Sequence, residues 1–109
     1  MQTLRVDELK AFLAAEPQAL LLDVREPWEV QTARIELPGA RTLNLPMQEV
    51  PQRLAEIDDT QPVVCICHHG ARSAQVVAFL LRQGHERAYN LAGGVDAWSA
   101  LVDPHVPRY

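Results

Sequence analysis

The sequence predicts an α/β domain in which a largely parallel central sheet is flanked by helices on both faces. Short, continuously apolar runs are typical of strands buried on both faces, and segments with apolar residues at helical spacing alternate with them along the chain. The chain has 109 residues, of which 48% are hydrophobic, which suits one compact core. We therefore expect a single domain over 1–109, with an irregular tail at about 102–109 where prolines recur.

Each predicted strand is a short apolar run that ends in polar residues or a turn. The predicted strands are 19–24, 41–45, 62–66 and 88–91. The run 62–66 is the clearest of them, because apolar residues fill it and Cys67, the first of a polar segment, follows it directly.

The helices are predicted from apolar residues spaced three or four apart. They are 6–15, 26–32, 46–57, 73–83 and 95–101. Pro27 suits a first helical turn and Gly84 suits a helix end, whereas Pro51 interrupts a segment whose spacing is otherwise helical. Trp28 and Trp98 lie in short helices, where we expect single aromatic residues to anchor packing.

Composition and charge exclude several classes of partner. Ten basic residues against 14 acidic ones give a net charge of -4, and the basic residues are scattered, so we expect no nucleic-acid partner. The longest aliphatic run, 19–22, is too short to cross a bilayer, and residues 1–16 lack the continuous apolar segment of a secretory signal. We expect a cytoplasmic protein without a membrane partner.

Two polar segments follow predicted strands, at the edge of the sheet where sites of parallel α/β folds lie. One is 23–25, with Asp23 and Arg25, and the other is 67–73. Cys67 stands where a buried strand ends and a helix is about to begin, so loop amides and the positive end of that helix should stabilise a thiolate. Gly70 allows the loop to curl without a side-chain clash.

Four motifs in register resemble the rhodanese family of sulfurtransferases. The segment 67–73, Cys-His-His-Gly-Ala-Arg-Ser, resembles the family's active loop, and 22–29, 38–40 and 91–98 resemble its other signatures in the right order. The resemblance covers nearly the whole chain and implies a rhodanese-like fold. The segment 33–40 departs from the family pattern by two additional residues, and we expect it to border the site.

The resemblance implies that Cys67 is the catalytic nucleophile. It would take sulfane sulfur from thiosulfate or a persulfide, hold it as a persulfide and pass it to a thiol or cyanide. The residues expected to bind the persulfide or the donor are His68, His69, Gly70, Ala71, Arg72 and Ser73. Asp23 and Arg25 are expected to support the neighbouring loop. The implied partners are a small-molecule sulfur donor and a thiol acceptor, with a sulfur-relay protein as a further candidate, and no cofactor is implied.

Two other functions are found on the same architecture, a phosphatase and a non-catalytic docking module. The related Cdc25-type phosphatases use a longer loop that is wide enough for phosphate, whereas only the four residues 68–71 separate Cys67 from Arg72 here. A non-catalytic docking module of the same fold would be expected to have lost Cys67, which is present.

The remaining histidines and cysteine have simpler interpretations. Cys65 is expected to be an inert core side chain, although it could resolve an oxidised Cys67. His68 and His69 are either exposed loop residues or guides for the donor, and they lie too close in sequence to the cysteines for a zinc site, so no metal is expected. His85 and His105 are expected at the surface.

Overall fold

A computed structural model describes residues 1–109 and contains one five-stranded sheet. The strands are β1 (Thr3–Leu4), β2 (Leu20–Asp23), β3 (Arg41–Asn44), β4 (Val63–Ile66) and β5 (Ala88–Leu91). Their order is β1-β5-β4-β2-β3, and every neighbouring pair is parallel. The four predicted strands are confirmed to within one residue at each end. β1 was not predicted, because two residues are too few to give a pattern.

Four α-helices and three short 3₁₀ turns connect the strands. The helices are α1 (Leu9–Ala15), α2 (Pro27–Thr32), α3 (Ala71–Arg82) and α4 (Gly94–Leu101). The 3₁₀ turns are Val6–Glu8, Met47–Glu49 and Leu54–Glu56. Pro27 occupies the start of α2, as its fixed backbone angle predicts. No helix of the protein combines the length and apolar character needed to cross a membrane.

The predicted helix over 46–57 is wrong. The segment contains only the two separate 3₁₀ turns, because Pro51 has no amide hydrogen and interrupts the α-helical hydrogen-bond ladder in its middle. Val50 and Ile57 are nevertheless buried. The spacing of the apolar residues in this segment therefore indicates contact with the core and not a continuous helix.

The start of α3 also differs from the sequence prediction. The helix begins at Ala71 and not at Ser73, because Gly70 adopts a positive φ of 104° and reverses the chain directly in front of it. Arg72 consequently lies in the first turn of α3 and not in the loop. The tail, 102–109, contains no helix or strand, as predicted.

The core consists of two layers, one on each face of the sheet. Along β2, Leu20 and Leu22 join one cluster and Leu21 joins the other. One cluster includes Val77 of α3, and the other includes Trp98 of α4. Helices on both faces of the sheet are thus confirmed, and successive residues of a buried strand serve opposite layers.

The two tryptophans and two of the histidines lie only partly where the sequence predicts. Trp98 is buried, as expected, but Trp28 is 61% exposed and does not anchor the core. His105 is at the surface, whereas His85 is buried, with its Nε2 3.0 Å from the carbonyl oxygen of Ile57. The surface prediction for His85 is wrong, because the chain after α3 turns this ring back towards the end of the 54–57 segment.

Candidate active site

Cys67 follows β4 directly, and the loop 68–70 curls around its sulfur before α3 begins. The Sγ atom accepts hydrogen bonds from the amide of Gly70 at 3.0 Å and from the amide of Ser73 at 3.3 Å, and it lies 3.2 Å from the Ser73 hydroxyl. The residue is only 1% exposed. The sulfur therefore lies in a ring of donors that is built from the loop and the first turn of α3.

Asn90 of β5 holds this ring together. The Ser73 hydroxyl donates to Asn90 Oδ1 at 2.5 Å, and Asn90 Nδ2 donates to the carbonyl oxygen of Gly70 at 3.2 Å. While Cys67 is protonated, the serine proton is directed at Asn90 and the thiol hydrogen makes the contact with Ser73. When Cys67 is a thiolate, the hydroxyl holds the only proton of this contact and turns from Asn90 to donate it to the sulfur. Sequence reasoning gave no role to Asn90, although an amide side chain in a mostly buried strand is a signal that could have identified it.

The start of α4 fixes the orientation of the loop peptides. The amides of Val95 and Asp96 donate to the carbonyl oxygens of Cys67 and His68, each at 3.0 Å. Because the N–H and C=O of a trans peptide point in opposite directions, the amides of His68 and His69 face away from α4. A Cβ atom at Gly94 would collide with both of these loop carbonyls. The absence of a side chain at Gly94 therefore allows α4 to approach the loop this closely.

Arg72 forms a bidentate ion pair with Glu29 of α2. Its Nη1 and Nη2 atoms donate to the two carboxylate oxygens, each at 2.8 Å, and only 6% of the Glu29 side chain is exposed. These hydrogen bonds lower the pKa of Glu29 to about 2 against the opposing effect of burial. The structure therefore places Arg72 beside the loop with its charge paired. Sequence reasoning assigned no role to Glu29.

Arg25 and Asp23 form a second ion pair beneath the site. The buried guanidinium of Arg25 donates to Asp23 through Nε at 2.9 Å and through Nη2 at 2.7 Å. Its Nη1 atom donates to the Tyr109 hydroxyl at 2.7 Å and to the backbone carbonyl of Glu29 at 3.3 Å. These contacts link the end of β2 to α2 and to the tail, and the support of the neighbouring loop by Asp23 and Arg25 stays a prediction.

His68 and His69 lie at the outer edge of the loop in a stack of three rings. The ring centroids of His68 and His69 are 3.9 Å apart, and Tyr109 stacks on the other face of His68 at 3.9 Å with an interplanar angle of 6°. His69 is mostly exposed and His68 is half-buried. Burial, followed by the proximity of the His69 imidazole, lowers the pKa of His68.

His68, His69 and Asp96 bring three metal-ligand atoms within 4.8 Å of one another. The two imidazole planes are only 24° apart, so their in-plane lone pairs do not converge on one point. Both oxygens of Asp96 also accept hydrogen bonds from Arg108, each at 3.0 Å. The arrangement does not fit a metal ion.

The other predicted features near the site lie further from the sulfur. The segment 33–40 borders a cavity of about 380 Å³ whose walls include Asp23 and Ile66 but not Cys67. Cys65 is a free thiol within β4, and burial raises its pKa. Cys67 is also a free thiol.

Comparisons with known proteins agree with the fold. The family model described as "Rhodanese-like domain" matches residues 5–101. A protein of Allochromatium vinosum named "Sulfurtransferase" is 42% identical over 93 residues, which are 85% of this chain and 83% of that protein. The "Thiosulfate sulfurtransferase GlpE" of Pseudoalteromonas translucida is 29% identical over 88% of each chain. The crystal structure of a rhodanese-related protein from Thermoplasma volcanium superimposes with a TM-score of 0.81 at 26% identity over the whole of both chains. The chain belongs to the rhodanese-like domain family.

Proposed function

We propose that this protein is a sulfurtransferase that carries sulfane sulfur as a persulfide on Cys67. The observation that carries the proposal is the position of Sγ, which lies among the Gly70 amide, the Ser73 amide and the Ser73 hydroxyl at 3.0 to 3.3 Å. Such a set of neutral donors stabilises sulfur in its anionic form without a metal or a second catalytic base.

The proposed reaction proceeds in two displacements at sulfur. The Cys67 thiol loses its proton to solvent, and the thiolate attacks the sulfane sulfur of thiosulfate. The sulfur–sulfur bond of thiosulfate breaks, sulfite leaves with the electron pair, and Cys67 holds a persulfide anion. An acceptor thiolate or cyanide then attacks the outer sulfur, and the Cys67 thiolate leaves. The enzyme undergoes no net oxidation or reduction over one turnover.

The loop amides support the persulfide stage. The amides of His68, His69, Ala71 and Arg72 have no acceptor within the protein, whereas the carbonyls of Cys67 and His68 are held by α4. A terminal sulfur one bond beyond Sγ would find donors of this kind around it. Arg72 would add positive charge from one side of the loop, reduced by its pairing with Glu29.

The donor and the acceptor belong to the proposal. The names "Sulfurtransferase" and "Thiosulfate sulfurtransferase" of two relatives support a sulfane-sulfur donor such as thiosulfate. A small thiol, cyanide or the thiol of a sulfur-relay protein completes the cycle. We also propose a cytoplasmic location, because both cysteines are free, which suits a reducing compartment.

The test is intact-mass spectrometry of the reduced protein after thiosulfate and then after cyanide. We expect the wild type and Cys65→Ser to gain the mass of one sulfur and to lose it to cyanide, and Cys67→Ser to gain none. If the folded wild type gains no sulfur from thiosulfate or from a small-molecule persulfide, the proposal fails. Hydrolysis of a phosphate ester by that same preparation would then favour the phosphatase alternative.

A further inference from the structure

Tyr109 lies outside every motif of the family resemblance, yet it contacts three groups of the site. Its hydroxyl accepts a hydrogen bond from Arg25 at 2.7 Å and donates one to Glu29 Oε1 at 3.0 Å. Its ring lies against the imidazole of His68 at 3.9 Å, almost parallel to it. One side chain of the tail therefore joins β2, α2 and the loop of Cys67.

The hydroxyl contact acts on Arg72 through Glu29. The Oε1 atom of Glu29 that accepts from Tyr109 also accepts from Arg72 Nη2 at 2.8 Å. An oxygen that already has a phenol donor attracts the guanidinium less strongly than one that has Arg72 alone. Tyr109 thus sets how much of the positive charge of Arg72 remains directed towards the loop.

The ring contact acts on the loop through His68. The Nε2 atom of His68 is buried and has no hydrogen-bond partner, so stacking holds this ring in place. The other ring of the stack, that of His69, is 65% exposed, which leaves Tyr109 as the firmer support. His68 follows Cys67 directly, and its amide has no acceptor within the protein, so a displacement of its ring moves a donor that would be available to the persulfide.

The tail is fixed beside the loop by a second contact. Arg108 donates two hydrogen bonds to Asp96, each at 3.0 Å, and the Asp96 amide in turn donates to the His68 carbonyl. Val106 is buried against Trp98 and its neighbours. Residues 106–109 therefore follow a defined path to the site.

We propose that Tyr109 is a positioning residue for sulfur transfer, with its hydroxyl setting the Glu29–Arg72 pair and its ring setting His68. The proposal rests on the proposed function. The two contacts have separable consequences: the hydroxyl governs binding of an anionic donor, and the ring governs the reactivity of Cys67.

The test compares Tyr109→Phe and Tyr109→Ala with Tyr89→Phe, which removes the hydroxyl of the chain's other tyrosine. For Tyr109→Phe we expect KM for thiosulfate to rise about fivefold with kcat within about twofold, because one hydrogen bond to a charged group is lost while the stack remains. For Tyr109→Ala we expect alkylation of Cys67 by iodoacetamide at pH 7 to slow by about tenfold as well, because the loop loses its support. Tyr89→Phe should match the wild type in both measurements.

Three outcomes separate this proposal from the proposed function. If the wild type takes up sulfur and both Tyr109 variants behave like Tyr89→Phe, the positioning role is wrong and the sulfurtransferase proposal stands. If the wild type takes up no sulfur, the proposed function fails, and unchanged alkylation rates would reject the positioning role independently. If Tyr109→Ala lowers the thermal unfolding midpoint but changes neither KM nor alkylation, the residue is only structural and the proposal is overturned.

Discussion

Cys65 and Cys67 are separated by one residue and are equally buried, yet their surroundings differ completely. Cys65 lies within β4 among apolar side chains, and burial raises the pKa of its thiol. Cys67 lies just beyond the strand, where Gly70 and Ser73 direct hydrogen bonds at its sulfur. Burial by itself makes a cysteine inert, and a buried cysteine becomes a useful nucleophile only where backbone amides replace the water it has lost.

The arginines near the site and the loop amides around Cys67 differ in whether an opposite charge is paired with them. Each arginine near the site is paired with a carboxylate, as Arg72 is with Glu29, whereas the loop amides around Cys67 have no counter-charge. The anionic intermediate would therefore be held mainly by neutral dipoles in a water-poor setting. The shape of the loop therefore matters more for stabilising the persulfide anion than the net charge of the protein does.

The largest expected effect comes from distorting that shape. Gly94→Ala would drive a methyl group into the carbonyl oxygens of Cys67 and His68, at a residue whose φ is +58°. We expect persulfide formation to fall by about 100-fold or more, together with a loss of stability of several kcal/mol. Gly84→Ala is the matched control, because its φ is +93° and nothing lies within 4 Å of its added Cβ.

That control should cost about 1 kcal/mol of backbone strain and leave sulfur transfer within about twofold. Urea unfolding and single-turnover persulfide formation measure the two effects. Equal losses of activity in both glycine variants would mean that the contact between α4 and the loop is not needed for the reaction.

A smaller effect is expected when one donor is removed from the sulfur. Ser73→Ala deletes the hydroxyl 3.2 Å from Sγ but keeps the amide at 3.3 Å. We expect alkylation of Cys67 at pH 7 to slow by about tenfold, the equivalent of one hydrogen bond to an anion. Cys65→Ala should leave this rate within about twofold. A Ser73→Ala rate equal to that of the wild type would show that the amides alone stabilise the thiolate.

The next expected effect is on stability and depends on pH. The pKa of Glu29, lowered to about 2 by Arg72, lies below that of an unfolded glutamate, so the carboxylate stabilises the fold at neutral pH. That contribution is fully present above about pH 4.5 and is lost as the pH falls towards 2. We expect the stability difference between wild type and Glu29→Gln to shrink by on the order of 3 kcal/mol between pH 6 and pH 2.

Urea unfolding at several pH values measures this difference. Glu86→Gln, which changes an exposed carboxyl group without an ion pair, serves as the control. A stability difference between wild type and Glu29→Gln that stays constant down to pH 2 would contradict the role of the Glu29–Arg72 pair.

The sequence predicted the elements that have a strong local pattern. The strands and the loop of Cys67 follow from apolar runs and from the residues at their ends. The segment around Pro51 was misassigned because apolar spacing of three or four also arises in irregular chain that packs on a core. His85 was misplaced because a single polar residue after a helix carries no signal of the carbonyl that will bind it.

The network behind the loop could not be predicted from local patterns. Tyr109 bonds to Glu29 across a separation of 80 residues, and Ser73 bonds to Asn90 across 17. Such contacts depend on how the strands are ordered in the sheet, and apolar periodicity does not determine that order. The buried amide in β5 was the one local clue that was available.

The central claim is that the two cysteines, although only one residue apart and both buried, differ in reactivity because of the amides around Cys67. Its most direct test is to treat the folded protein with thiosulfate, trap persulfides with iodoacetamide and locate the extra sulfur by fragmentation of the peptide that contains both thiols. We predict that the extra sulfur is found on Cys67 and that Cys65 remains unmodified. Extra sulfur on Cys65, or equal labelling of the two residues, would contradict the account.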